Sequence, residues 1–327
     1  MTQRILIVDD EAANLALLRQ VLSPDYSLVF ARSGAEALAA AIKHTPALIL
    51  LDIEMPDMDG YEVCRRLKSS PLTESIPVIF VTSLAEIGNE TAGFEAGAVD
   101  YIVKPVSPPI VVARVRNHLS LVSATQLAQS YSDAIYMLGE ASEFKDADTG
   151  THIWRMAAYS SALAAASGWS EEDCKQIELA APMHDIGKLG IPDAILHKPG
   201  KLDADEFEIM KTHSETGYRI LTKSAAPLLQ MAATIARHHH ERWDGSGYPC
   251  GLSGEAIPEM ARIVAIADVF DALTTKRPYK EIWPIDRVMQ TLTSTSGSHF
   301  EPRLIDCFMD IQSKILDIKK HWSDFGE

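Results

Sequence analysis

The chain has 327 residues, 46% of them hydrophobic, which is enough apolar material for two domains of ordinary size. Its formal net charge is −15, and an acidic surface repels DNA, RNA and anionic lipid, so we do not expect a polynucleotide substrate. The four cysteines form no CxxC pair, and we expect them to be reduced thiols. No apolar run reaches the ~18 residues of a membrane span, and no signal-peptide pattern precedes the first strand pattern. These features predict a cytoplasmic protein without membrane insertion.

The first 120 residues alternate short apolar runs with helical patterns. The strand candidates are Ile5–Val8, Ser27–Phe30, Ala47–Leu51, Val78–Val81 and Tyr101–Val103. The helical stripes between them include Leu15, Leu18, Leu22 and Ala35, Leu38, Ile42. Such alternation predicts a doubly wound parallel α/β sheet, whose ligands bind at the carboxyl ends of the strands.

Polar residues follow these strand candidates. Asp9 and Asp10 follow the first, Asp52 the third, Thr82 the fourth and Lys104 the fifth. Crowded carboxylates repel one another unless a hard cation lies among them, and Mg²⁺ suits such oxygen ligands. A lysine and a hydroxyl at the same edge can bind phosphoryl oxygens, and a carboxylate there can become an acyl phosphate. An α/β domain whose edge is merely acidic is the alternative.

Together with the loop Met55–Gly60 and the pair Lys104-Pro105, this set resembles the receiver domain of two-component response regulators. The resemblance covers residues 1–120 and implies a flavodoxin-like fold and a cognate histidine kinase. It implies phosphorylation of Asp52 and Mg²⁺ bound by Asp9, Asp10 and Asp52. It also implies a conformational switch formed by Thr82, Tyr101 and Lys104. Tyr101 fits equally well as a partly buried strand aromatic.

A helix predicted to begin at Pro108-Pro109 continues past the first domain. Leu127, Tyr131, Ala134 and Leu138 follow a heptad spacing along it. Two heptads fit a dimer coiled coil and an intramolecular packing face equally well. We expect a helical connector over residues 121–140, and a homodimer is the oligomer that we predict.

The rest of the chain is predicted to be almost entirely helical and is rich in histidine. Seven of the eleven histidines lie between His152 and His240. The candidate metal ligands are Asp148 with His152, His184 with Asp185, His213, His239 with His240, and Asp268. Imidazoles combined with carboxylates suit Fe, Mn, Ni or Zn, and more than four ligands suggest two ions bridged by a carboxylate. Asp268 interrupts an apolar helical pattern, so a cationic partner is expected there.

Residues 140–327 resemble the HD-GYP family, a branch of the HD metal phosphohydrolases. The matching segments are HDIGK (184–188), ILHKPGKL (195–202), HHERWDGSGYP (239–249) and IADVFDALTTKRPYK (266–280). The resemblance implies an all-helical domain with a two- or three-metal site, often holding iron, that hydrolyses cyclic di-GMP. Only the last two histidines of His238-His239-His240 match the family motif, so His238 is left out.

The resemblance also assigns roles to individual residues. The implied metal ligands are His152, His184, Asp185, His213, His239, His240 and Asp268. Asp185 is expected to bridge the metals as a catalytic residue, and Lys188 to steady the scissile phosphate. Arg277 and Lys280 are expected to bind the substrate phosphates, for which arginine offers a bidentate fork. Asp148 stands where many members carry glutamate, which leaves a third metal open.

We therefore expect a multidomain protein with a receiver domain (1–120), a helical connector (121–140) and an all-α HD-GYP domain (141–327). The expected reaction is hydrolysis of cyclic di-GMP to pGpG, or further to GMP, by water activated between two metals, under the control of Asp52 phosphorylation.

Two alternatives remain open. One is a non-catalytic module that binds cyclic di-GMP or docks partners, among them diguanylate cyclase (GGDEF) proteins, through the Gly247–Pro249 loop. The other is an HD hydrolase of another cyclic dinucleotide, such as cyclic GMP-AMP. A DNA-binding regulator is not expected, because the output domain has no basic recognition helix.

Overall fold

The computed structural model describes residues 3–83, 90–145, 151–275 and 282–323. The chain divides into two compact units, Met1–Gln129 and Ser130–Glu327, named here the N-terminal and C-terminal units. The division falls within the stretch expected to be a connector. The boundaries predicted for the three segments remain predictions.

The N-terminal unit is a five-stranded parallel sheet with the strand order β2-β1-β3-β4-β5. The strands are β1 (Arg4–Val8), β2 (Ser27–Ala31), β3 (Leu48–Asp52), β4 (Val78–Thr82) and β5 (Asp100–Val103). All five predicted strands are confirmed to within one residue at either end. The inner strands β1, β3 and β4 are buried because helices cover both faces of the sheet, which explains their continuous apolar runs.

The helices between these strands are α1 (Ala12–Leu22), α2 (Gly34–His44), α3 (Gly60–Lys68) and α4 (Glu90–Glu95). The stripe expected for α2 is only in part its buried face. Leu38 packs against the core together with the buried Ala37 and Ala41, whereas Ala35 is exposed and Ile42 is 54% exposed. The helix packs closely on its neighbours through small residues, and a Cβ on Gly34 would come within 2.8 Å of Val63. Of the two large apolar residues in the predicted stripe, Leu38 therefore lies on the inner face and Ile42 does not.

The helix that follows β5, α5 (Pro108–Phe144), crosses the division between the two units. Its first turns bury Val111 and Val115 in the core of the N-terminal unit. Within the described residues of this chain, Leu127 and Tyr131 of the predicted heptad stripe are 61% and 59% exposed. The predicted homodimer remains a prediction.

The C-terminal unit contains only helices as regular elements in the part of the chain that the structure describes. They are α6 (Thr151–Ala166), α7 (Glu171–Ala180), α8 (Asp193–Leu196), α9 (Ala204–Leu221), α10 (Pro227–His238), α11 (Glu259–Thr274), α12 (Ile285–Ser294), α13 (Pro302–Asp310) and α14 (Gln312–Ser323). Its core centres on Tyr159, Phe270 and Phe308, whose rings pack edge to face. Across the described residues, no helix combines the length and the apolar character needed to cross a membrane.

Candidate functional site

Polar side chains of the N-terminal unit meet at the carboxyl end of its sheet. Asp9 follows β1, Asp52 is the last residue of β3, and Lys104 follows β5. The Nζ atom of Lys104 lies 2.8 Å from Oδ2 of Asp52 and 3.1 Å from Oδ2 of Asp9. Ligand oxygens of Asp9, Asp10 and Asp52 lie within 4.8 Å of one another. These three carboxylates can hold a hard divalent cation beside an ammonium group.

The carboxylate of Asp52 is buried and is held by its surroundings. Burial raises the pKa of Asp52 to about 6; the negative charge of Asp9 acts in the same direction and Lys104 opposes it. The loop before α3 packs tightly on the end of β3, where the N–H of Gly60 donates to the carbonyl of Ile53. A Cβ on Gly60 would lie 2.3 Å from the backbone oxygen of Asp52, so a side chain does not fit there.

The two remaining switch candidates lie on β4 and β5. Thr82 is buried and its hydroxyl donates to the carbonyl of Ser83. Tyr101 is partly exposed, and the guanidinium of Arg114 lies 5.6 Å from the centre of its ring. The switch role of Thr82, Tyr101 and Lys104 stays a prediction.

The C-terminal unit brings the seven predicted metal ligands into two adjoining clusters. One consists of Asp185, His213, His239 and His240, and the other of His152, His184 and Asp268. Within each cluster the ligand atoms lie within 4.8 Å of one another. The side chains come from α6, α9, α11, the end of α10 and the turn after α7. Residues far apart in sequence thus converge on one site.

Asp185 connects the two clusters. Its Oδ2 atom lies 3.2 Å from Nε2 of His184, which belongs to the second cluster. Its Oδ1 atom lies 3.2 Å from Nε2 of His213 and 3.6 Å from Nε2 of His239, both in the first. Each carboxylate oxygen therefore faces one cluster, which is the arrangement that a bridging ligand requires.

Three of these histidines are fixed in the same tautomer. The Nδ1 atoms of His184, His213 and His239 lie 3.0, 2.7 and 3.1 Å from backbone carbonyl oxygens of the preceding turn. Because a carbonyl only accepts, Nδ1 carries the proton and Nε2 presents a lone pair to Asp185. Among the described residues, Nε2 of His239 and Oδ1 of Asp185 have no hydrogen-bond partner. Lone pairs facing a carboxylate at these distances fit a site for cations.

The electrostatic surroundings favour the protonation states that metal ligands need. Burial lowers the pKa of His239, and burial together with His239 lowers the pKa of His240 well below its ordinary value. Burial alone would raise the pKa of Asp185, but the Lys188 ammonium holds that pKa well below its usual range. Neutral imidazoles and an ionised carboxylate are the forms that bind divalent metals.

His152 lies between two carboxylates of α11. Its Nε2 atom is 3.7 Å from Oδ1 of Asp268, and its Nδ1 atom donates to Oδ2 of Asp271 at 2.6 Å. Asp271 is fully buried and also accepts two hydrogen bonds from Arg155, at 2.7 and 2.9 Å. These bonds hold the pKa of Asp271 below its usual range although burial opposes them. Asp271 orients His152, as carboxylates commonly orient metal-binding histidines.

Asp271 and Arg155 were not among the predicted site residues. The high cost of burying a carboxylate was predicted for Asp268 instead, whose side chain is 20% exposed. Two signals were available. Asp271 lies three residues after Asp268 on the same helix face, and Arg155 lies three residues after His152.

Close backbone packing holds the turn that carries His184 and Asp185. A Cβ on Gly187 would lie 1.8 Å from the carbonyl oxygen of His213 in α9. The absence of a side chain therefore allows this turn to approach α9, which places Asp185 beside His213. A capping box of Asp203 and Glu206 fixes where α9 begins.

The loop after His240 folds back over the first cluster. The N–H of Tyr248 donates to the carbonyl of His240, and the centres of their rings are 4.7 Å apart. A Cβ on Gly247 would lie 2.3 Å from the backbone nitrogen of Arg242, so the loop packs directly on its own start. The Tyr248 ring thus forms one wall beside the candidate ligands.

Three predicted site residues, Asp148, Arg277 and Lys280, lie outside the described residues. Their predicted roles, a third metal and binding of substrate phosphates, remain predictions. Lys188 is described, and its Nζ atom lies 2.7 Å from Oδ2 of Asp185.

Comparisons with known proteins match both units. The family model of the response regulator receiver domain matches residues 5–116, and that of the HD domain matches residues 122–304. A Vibrio cholerae protein named probable cyclic di-GMP phosphodiesterase is 39% identical over 98% of this chain and 80% of its own length. The Xanthomonas campestris pv. campestris protein named cyclic di-GMP phosphodiesterase response regulator RpfG is 39% identical over 96% of this chain and 89% of its own.

A third relative matches a smaller part of the chain. It is a Vibrio cholerae protein named 3′3′-cGAMP-specific phosphodiesterase 2, which is 45% identical over 61% of this chain and 36% of its own length.

Proposed function

The chain belongs to a family of metal-dependent phosphodiesterases in which a response regulator receiver domain precedes an HD domain, and we propose that its substrate is cyclic di-GMP. Relatives bearing that activity in their names align with nearly the whole chain. The reaction would be hydrolysis of a phosphodiester bond to give pGpG, with cleavage to GMP as a further step.

The placement of Asp185 carries the proposal of a two-metal mechanism. Its two oxygens face different histidine clusters at 3.2 Å, so one carboxylate could join two ions. His213, His239 and His240 would complete one metal site, and His152, His184 and Asp268 the other. When bound, two divalent ions lower the pKa of water and offset phosphate charge. Imidazole-rich ligand sets suit iron, manganese, nickel or zinc, and we propose iron on the family resemblance.

Lys188 is proposed to serve both Asp185 and the substrate. Its ammonium contacts Oδ2 of Asp185 and keeps that carboxylate ionised. Its side chain is 16% exposed, so it could also meet an incoming phosphate, where a fixed cation offsets developing negative charge. Arg277 and Lys280 are proposed to bind the substrate phosphates on the strength of the sequence motif.

The N-terminal unit is proposed to control this reaction. Asp52 would accept a phosphoryl group from a histidine kinase, the partner that a receiver domain implies. Asp9 and Asp10 would hold Mg²⁺ with Asp52, and Thr82 and Lys104 would contact the phosphoryl oxygens. Docking of GGDEF proteins on the Gly247–Pro249 loop and homodimer formation through α5 are further proposals.

Cyclic GMP-AMP is the second candidate substrate, and the cGAMP-specific relative supports it. That relative aligns over only part of the chain, whereas relatives named for cyclic di-GMP span almost all of it. The observation that separates the two is the ratio of kcat/KM for the two dinucleotides.

The test begins with anaerobic purification and metal quantification of the full chain. The enzyme is then assayed with cyclic di-GMP and with cyclic GMP-AMP, and the products are resolved by chromatography. We expect about two metal ions per chain and faster hydrolysis of cyclic di-GMP. Asp185→Asn keeps the shape of the side chain but removes its charge, so it serves as the inactive control. It should lose both bound metal and turnover. Binding of cyclic di-GMP without hydrolysis by the metal-loaded wild-type protein would show a binding module instead.

A further inference from the structure

A further group of side chains of metal-binding types, none of them among the seven predicted ligands, lies where α10 ends and the following loop returns to it. It consists of His238, Glu241 and Cys250. One ring nitrogen, one carboxylate oxygen and the thiol sulfur lie within 4.8 Å of one another. His238 is not among the predicted ligands, because it does not match the family motif.

The Nδ1 atom of His238 distinguishes this group from an ordinary surface cluster. The atom is buried and has no hydrogen-bond partner in the described part of the chain. Oε1 of Glu241 is 3.6 Å away, which is too far for a hydrogen bond. The Nδ1 atoms of His184, His213 and His239 each face a backbone carbonyl instead. Nδ1 of His238 is therefore able to present a lone pair.

Glu241 is buried, and backbone groups of the loop hold its carboxylate in place. Its Oε1 atom accepts a hydrogen bond from the N–H of Cys250 at 2.8 Å, and its Oε2 atom accepts one from the N–H of Leu252 at 3.1 Å. Each oxygen retains a second lone pair. The same hydrogen bonds bring the exposed thiol of Cys250 beside the carboxylate. The three donors are thus assembled by the fold of the loop itself.

We propose that His238, Glu241 and Cys250 form a zinc site separate from the His/Asp clusters. Nitrogen, oxygen and sulfur donors together suit Zn²⁺, whose tetrahedral sites place ligand atoms about 3.4–3.7 Å apart. Bringing the donors from within 4.8 Å to that distance would require a rotation of the exposed Cys250 side chain, and solvent would supply the fourth ligand. The thiol releases its proton to solvent on binding, so one thiolate and one carboxylate balance the charge of the ion.

The site would fasten the loop that carries Tyr248 to the end of α10. Tyr248 lies between Glu241 and Cys250 in the chain and contacts the ring of His240. An ion bound at both ends of this segment would limit its movement. The inference stands independently of the substrate, because it rests only on the three donors and the fold of the loop.

Cobalt(II) added to the full-length chain after metal removal by a chelator tests the site. A thiolate bound to Co²⁺ gives an intense charge-transfer absorption in the near ultraviolet, and neither His/Asp cluster contains sulfur. We expect this absorption in the wild-type protein, its displacement by Zn²⁺ and its loss in Cys250→Ser. The matched control Cys307→Ser, which changes a thiol of α13, should retain it. Circular dichroism would confirm that each variant is folded.

His238→Gln tests whether the histidine belongs to the site or whether the thiol binds metal alone. We expect at least a tenfold weaker affinity for Co²⁺, measured by titration of the same absorption. An unchanged affinity would refute the three-donor site. Absence of the absorption in the wild-type protein, or its persistence in Cys250→Ser, would overturn the proposal as a whole.

Discussion

Replacing Asp271 by asparagine tests whether Asp271 orients the candidate metal ligand His152, because the substitution changes none of the seven candidate ligands. The substitution keeps the shape of the side chain but removes its charge. Asp271 accepts a hydrogen bond from Nδ1 of His152 and two from Arg155, in a fully buried position. The asparagine amide offers one accepting oxygen and one donating nitrogen. It therefore cannot accept all three bonds as the carboxylate does, because its nitrogen would face an N–H donor.

The expected losses of stability and of metal affinity follow from these contacts. Arg155, whose side chain is 6% exposed, would lose its buried ion pair with Asp271. Breaking such a pair typically costs ~3–5 kcal/mol, and we expect about 3 kcal/mol because asparagine retains one acceptor. For a domain of this size that corresponds to a fall in Tm of roughly 6–12 °C. His152 would lose its fixed tautomer, so metal affinity should fall by about 10–100-fold.

Thermal unfolding and a chelator-competition titration measure these two effects separately. Glu301→Gln is the matched control, since Glu301 is also a buried carboxylate, paired with Arg262 and Arg303. It should lower the Tm without weakening metal binding by the His/Asp clusters. If Asp271→Asn binds metal as tightly as the wild-type protein, Asp271 does not orient His152, whatever happens to the Tm. If both variants weaken metal binding equally, the effect is one of general destabilisation.

The remaining predictions concern the bridging ligand, the turn beside it, the substrate phosphates and the receiver. Asp185→Ala should abolish hydrolysis in a folded protein; wild-type turnover with full metal content would contradict its role. Gly187→Ala should lower the free energy of unfolding by more than ~3 kcal/mol, because its Cβ would lie 1.8 Å from a backbone oxygen. Gly190→Ala should lower it less, because its Cβ would meet only a side chain, at 3.0 Å; thermal unfolding compares the two variants. Arg277→Ala should weaken cyclic di-GMP binding more than it lowers metal content, as measured by calorimetry and metal analysis. Loss of metal with unchanged affinity for cyclic di-GMP would contradict its role in binding phosphate. Beryllofluoride with Mg²⁺ should change the hydrolysis rate by ~5–150-fold, with activation the expected direction, and Asp52→Ala should remove the response; no change on full modification would refute this control.

The sequence predicted the sheet well because its inner strands are buried on both faces. Such strands need continuous runs of Val, Ile and Leu, and the runs in β1, β3 and β4 are visible without a structure. The inner face of α2 was predicted only in part. Leu38 of the predicted stripe packs against the core, but the fully buried positions are the small residues Ala37 and Ala41, and Ile42 is exposed. Periodicity therefore located the helix but identified its packed side incompletely.

The seven candidate ligands were found because they carry distinctive side chains at motif spacings, but their division into two clusters was not predictable. His184 and Asp185 are adjacent in sequence, yet the histidine belongs to one cluster and the aspartate to the other. The division depends on how the turn after α7 packs against α9, which Gly187 makes possible. No local pattern encodes a contact of that kind.

The two aspartates of α11 show that the role of a carboxylate in an apolar helix depends on the side chains that it contacts. Asp268 and Asp271 are three residues apart, so both lie on the side of the helix that meets His152. The ring of His152 has two nitrogens, and a metal can use only the one that lacks a proton. Asp271 accepts the proton of Nδ1, which leaves Nε2 facing Asp268. Arg155 then keeps Asp271 ionised, so that the proton stays on the imidazole. One acid therefore determines the tautomer, and the other is available to a metal. Exchanging the two roles would move the lone pair of His152 to Nδ1, on the side of Asp271 and away from Asp268.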